Sequence, residues 1–149
     1  MNIPKDNSLS KQEIAFRLLN SIANPQNYFC TVLGYIHGHL QLYIKAANTV
    51  TATDKSFILA FEAVRYFEGP MRWQGLDFRL GSIDERINLL QGGWIDVGMW
   101  LEKFADDHLL FILERPQYRV RIFSGSFHIG TTEPKIHLSY PDFPQEGQE

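Results

Sequence analysis

His39-Leu40-Gln41-Leu42-Tyr43-Ile44-Lys45-Ala46 is the stretch that decides the fold class. Leu40, Leu42, Ile44 and Ala46 share one parity, and His39, Gln41, Tyr43 and Lys45 share the other. Successive side chains of a strand point to opposite faces, so this run predicts a strand with one face buried and one face wet. Antiparallel sheets take that form, whereas parallel strands covered on both faces read as continuous apolar runs. Gly38 stands just before the run. Before it lies Tyr28 to Ile36, rich in aromatic and β-branched residues, so the two segments predict a hairpin.

Outward from this hairpin the chain stays rich in strands. Asn48 to Lys55 is polar and reads as a loop. Ser56 to Phe67 is apolar on both parities, which predicts a central strand covered on both faces. Gly69-Pro70 marks a turn, and Arg72 to Leu80 predicts a further strand with Leu76, Phe78 and Leu80 inward and Asp77 and Arg79 outward. Leu109 to Glu114 and Tyr118 to Ser124 predict a second hairpin around Arg115-Pro116-Gln117. Phe127 to Ile129 and Ile136 to Tyr140 predict short edge strands.

Two helices interrupt this pattern. Ile14, Leu18, Leu19 and Ile22 recur at helical spacing from Lys11 to Ala23, with Ser8 or Ser10 as the cap and Asn24-Pro25 as the stop. Ser82-Ile83-Asp84-Glu85 is a capping box that opens a short helix to about Gln91. Gly92-Gly93 is expected to close it in the left-handed conformation. Trp94 to Phe104 fits either period; the alternation of Ile95, Val97, Met99 and Leu101 favours a strand. The expected fold is α+β: a mostly antiparallel sheet of five to seven strands, an N-terminal helix and one short inserted helix. Short connections argue against a doubly wound parallel sheet. The 149 residues read as a single domain, 1–149, with 1–8 and 141–149 as flexible arms.

Composition narrows the function classes. Net charge is -3 and the pI about 5.9, so no basic excess points to nucleic acid. Cys30 is the single cysteine. An intramolecular disulfide and a cysteine-based zinc site are therefore excluded, which fits a reducing compartment. Met1 to Ser10 lacks the apolar core of a signal peptide, and no apolar run reaches the ~20 residues of a membrane span. A cytoplasmic location and no membrane partner are expected.

Four groups of residues carry chemical interest. His37-Gly38-His39 could place two imidazoles on one face of a strand as metal ligands, with Asp77, His128 or His137 as a third. The pair resembles the His-x-His of the cupins. Where that family places its carboxylate, however, this chain has Tyr43 and Ile44 followed by Lys45, and Gly38 in a turn would part the two rings. Cys30 lies in an apolar strand and reads as a buried, inert thiol. Arg119 and Arg121 share a face of their strand and could hold a carboxylate, a phosphate or an acidic partner, with the amides of Ser124-Gly125-Ser126 nearby. Trp73, beside Tyr66, Phe67 and Arg72, reads either as core or as a recognition residue. The remaining charges, Glu62, Arg65, Glu68, Arg72, Asp77 and Arg79, are expected to pair across two neighbouring strands.

No motif implies a cofactor. The leading expectation is a non-catalytic binding or protein-interaction module using Arg119, Arg121 and Trp73, with a protein partner, a second copy of the chain or a small anionic ligand as its target. The alternative is a small metal-assisted or acid/base enzyme built on His37 and His39 with Asp77.

Overall fold

The computed structural model describes residues 10–36, 40–50, 56–92 and 100–130. Helix α1 (Lys11–Asn20) starts at Ser10, whose hydroxyl accepts the Glu13 amide, and buries Ala15 and Leu19. A single 3-10 turn at Pro25–Asn27 leads into β1 (Tyr28–Ile36), which pairs antiparallel with β2 (Gln41–Asn48). Leu42, Ile44 and Ala46 are buried and their neighbours are half-buried, as the alternation requires. The register shifts between Val32 and Gly34, leaving Leu33 as the extra residue of a bulge.

Strand β3 (Ser56–Glu62) pairs with β2, β5 (Arg72–Gln74) with β1, and β9 (Ser126–Gly130) with β3. This gives a five-stranded sheet, β5-β1-β2-β3-β9. A four-stranded sheet, β4-β8-β7-β6, is built from β4 (Tyr66–Glu68), β6 (Arg79–Leu80), β7 (Leu109–Glu114) and β8 (Arg119–Ser124). The strands therefore divide between two antiparallel sheets of five and four rather than forming one.

The division arises because two expected strands bend. Ser56 to Phe67 passes from the first sheet to the second as β3 and then β4. Glu62 faces Ser126 and Tyr66 faces Phe123, so Ala63, Val64 and Arg65 oppose only Ser124 and Gly125. Ala63 takes the surplus at φ 53, the left-handed region. The Gly125 amide turns onto the carbonyls of Glu62 (2.9 Å) and Ala63 (3.2 Å). A Cβ on Gly125 would lie 2.9 Å from the Ala63 Cβ, so the close approach requires glycine. Arg72 to Leu80 likewise breaks at Gly75 (φ 114) into β5 and β6, although Leu76 and Phe78 still point inward and are buried. Strand pairing thereby makes a circuit: β1, β2, the β3–β4 run, the β8–β9 run, β7, and back to β1 through the β5–β6 segment.

The circuit encloses one core. Leu42, Ile44, Leu59 and Phe61 from one sheet meet Phe111, Leu113, Val120 and Ile122 from the other. A second cluster lies outside the four-stranded sheet, where α2 (Ile83–Gln91) and α3 (Leu101–Asp107) cover Leu110, Ile112 and Phe123. Strand β7 is therefore buried on both faces. The capping box at Ser82 and Glu85 forms as expected. Gly92, however, ends α2 at φ -70 rather than in the left-handed conformation. Leu101 to Phe104 belongs to α3, not to a strand: the helical spacing of Leu101, Phe104 and Ala105 lays them on the sheet. Residues 93–99, the expected strand Ile136–Tyr140 and both expected arms lie outside the described residues. Among the described residues no helix is long and apolar enough to cross a membrane.

Candidate functional site

Arg119 and Arg121 share the outer face of β8, as the strand period predicts, and β4 brings Glu68 directly beside them. The Nε groups of Arg119 and Arg121 each donate to the Glu68 carboxylate at 2.8 Å, and Arg121 Nη2 approaches it at 2.6 Å. The Tyr66 hydroxyl adds a further donor at 2.9 Å. Burial alone would raise the Glu68 pKa, but these hydrogen bonds outweigh it and hold the carboxyl at about 2. The anion held on this face is the chain's own. The neighbouring Gly125 amide is also committed, to the corner carbonyls.

Trp73 is elsewhere. It lies on β5, is 2% exposed, donates its indole N–H to the Gly75 carbonyl at 3.0 Å and packs edge-on against Phe78. It is a core residue, and the structure does not bring it to the Arg119–Arg121 face. The cross-strand charge pairs exist, but with other partners than expected. Arg115 grips Asp77 with both terminal nitrogens (2.7 and 3.2 Å), and Arg79 pairs with Glu85 and Glu114. Long-range pairing across the second hairpin decides these partners, which a scan of adjacent segments does not see.

His37, Gly38 and His39 lie outside the described residues. Asp77, the carboxylate suggested as their partner, is held by Arg115. Among the described residues no group of three or more His, Cys, Asp or Glu side chains could hold a metal ion. His128 does meet Glu62 at 3.4 Å on the outer face of the five-stranded sheet, where Ser126 also donates to that carboxylate at 3.1 Å. The carboxylate sits between hydroxyl and imidazole, so the ring is not placed to take the Ser126 proton. Cys30 is fully buried, and its thiol donates to the Gly75 carbonyl. Burial, reinforced by the Asp77 charge, pushes its pKa up to about 12, so the thiol is inert.

The concave feature of interest is a cleft of about 390 Å³ beside the corner. It opens where β1 and β4 part. Strand β5 pairs with β1 only from Phe29 to Thr31, and the last link on that side is Val32 N–H to the Met71 carbonyl at 2.9 Å. Strand β4 is the edge of its own sheet. Leu42 and Val64, both buried core residues, line the cleft with Val32 and Phe67. Tyr35 and Met71 line it from exposed positions, 40% and 60% accessible. The Val64 amide, bonded to the Leu40 carbonyl at 2.8 Å, ties the corner to β2.

Gly34 keeps this space open. It follows the bulge residue Leu33 and lines the cleft, and a Cβ built on it meets nothing within 4 Å. Arg65 is the one charged residue in the lining. Its guanidinium stands 5.3 Å over the Phe104 ring, and no carboxylate among the described residues pairs with it. This contrasts with Arg79, Arg115, Arg119 and Arg121, each of which has one.

Sequence reasoning missed this site, because its walls come from three separate segments. One signal was available: a glycine inside the Tyr28–Ile36 strand marks a bulge or a gap. No known protein family, curated protein or solved structure matches the chain.

Proposed function

We propose that this chain is a non-catalytic binding module and that the cleft beside the corner is its binding site. The observation that carries the reading is the cleft itself: about 390 Å³, within the usual size of ligand pockets, with a mainly apolar lining and a glycine where a side chain would fill it. Apolar surface left concave in this way gains free energy when a ligand displaces its water. The chemistry of the lining supports binding over turnover. It contains no histidine, cysteine, serine or carboxylate among the described residues. The arginine pair on β8 supports a structural role for that face, since Glu68 already satisfies it.

Gly34→Phe is the test. The new ring enters open space, so thermal stability is expected to stay within a few degrees of the parent. Titration with the neutral fluorophore N-phenyl-1-naphthylamine should give saturable one-to-one binding to the parent, lost in Gly34→Phe. Equal binding by both proteins would show that the probe sits elsewhere and would remove the cleft as the site. Turnover in a broad hydrolase screen, abolished by changing a cleft residue, would overturn the non-catalytic reading.

A further inference from the structure

We infer that the ligand is a small amphiphilic anion: an apolar chain over Leu42, Val64 and Phe67, with a carboxylate or similar monoanionic head at Arg65. This rests on the cleft being a binding site and adds the class of what it takes. The argument is one of charge complementarity. Of the lining side chains only Arg65 is ionic, and it is exposed at the edge of an apolar surface.

An apolar ligand alone would leave this cation unused, and a cationic ligand would be repelled by it. The nearest carboxylate along the chain on either side cannot neutralise it. Glu62 engages Ser126 and Gln41, and Glu68 is held by Arg119 and Arg121. The Arg65 guanidinium is steadied over the Phe104 ring while keeping its N–H edges for a planar acceptor.

Calorimetric titration of the full chain with decanoate, decanol and decyltrimethylammonium tests this. Decanoate is expected to bind about fivefold more tightly than decanol, the ratio that about 1 kcal/mol at an exposed ion pair corresponds to. Decyltrimethylammonium should bind more weakly than either. Arg65→Gln should bring decanoate down to the decanol value, and Arg65→Lys should retain part of the gain. Gly34→Leu should abolish binding of all three.

If decanol matches decanoate and Gly34→Leu removes both, the anionic class is wrong while the cleft remains a binding site. If none of the three binds, the class and the binding reading fall together. Co-sedimentation with phosphatidylglycerol vesicles in the absence of decanoate binding would make the source of the anion a bilayer and overturn the free-ligand assignment.

Discussion

Glu68 shows what a single carboxylate can settle. Two guanidinium groups and a phenol converge on it. Glu68→Gln keeps the shape, removes the charge and leaves both arginines facing a neutral amide. A loss of about 1–2 kcal/mol is expected at neutral pH, the scale of charge-assisted hydrogen bonds that are partly exposed. The sign of the pH dependence follows from the shift. The folded carboxyl titrates at about 2, below its ordinary 4.5, so its contribution is complete above 4.5 and is lost as pH falls toward 2. Urea midpoints from pH 7 to pH 2 should fall less steeply for Glu68→Gln than for the parent; parallel curves would mean the carboxylate contributes nothing. His108 acts in a higher window. It is stacked on Phe104 and Phe123, and burial holds its pKa below the usual 6.5, against a weaker opposing hydrogen bond to the Phe104 carbonyl. Below pH 6.5 the unfolded chain takes up that proton first, so stability declines there. NMR titration of the His108 ring should place its folded midpoint below 6.5, and a midpoint at or above that value would contradict the assignment.

Among the elements, α3 depends on donors supplied by the other two helices. Arg86, 7% exposed on α2, donates to the carbonyls of Ala105 (2.9 Å) and His108 (3.2 Å). From α1, Gln12 reaches the His108 carbonyl and Lys11 the Asp107 carbonyl. The C-terminal carbonyls of a helix lack partners of their own and carry its negative dipole end, so a cation fits there. Arg86→Met keeps the stem and removes these bonds. A loss of about 2 kcal/mol is expected, with hydrogen-exchange protection falling first in α3; uniform loss across the molecule would mean that α3 has no separate dependence on Arg86. Local patterns of this kind were legible in the sequence. The capping box, the bounds of β1 and the β7–β8 hairpin each depend on residues a few positions apart. The corner was not legible, because Ala63, not glycine or asparagine, takes the left-handed conformation there, and Val64 continues the apolar pattern through the bend. The same holds for Arg119 and Arg121: their shared face follows from the strand period, but their partner Glu68 lies on a strand 51 and 53 residues earlier. The cleft depends on how far β4 parts from β1, which is a property of the corner and not of any one segment.

For the molecule as a whole, two sheets do not make two folding units. Phe111 of β7 contacts Phe127 of β9 at 4.7 Å between ring centroids, Phe61 of β3 at 5.1 Å and Phe78, near β6, at 6.2 Å. This cluster crosses the space between the sheets, and the β3–β4 and β8–β9 runs carry the backbone of each sheet directly into the other. Opening one sheet therefore exposes the inner face of its partner. Phe111→Ala should cost about 3–5 kcal/mol, the range for removing a buried aromatic ring. Cooperativity predicts where that loss appears. The amides of Ile44 in β2 and Leu113 in β7 belong to different sheets, yet both should exchange through the same global opening. In Phe111→Ala their opening free energies should fall by equal amounts, read by native-state hydrogen exchange. If Leu113 loses protection while Ile44 keeps it, the five-stranded sheet stands without its partner. The cleft would then be a gap between two independent bodies, with no fixed shape to offer a ligand. Equal loss at both amides is the outcome that makes Leu42 and Val64, core residues that also line the cleft, a rigid floor for binding.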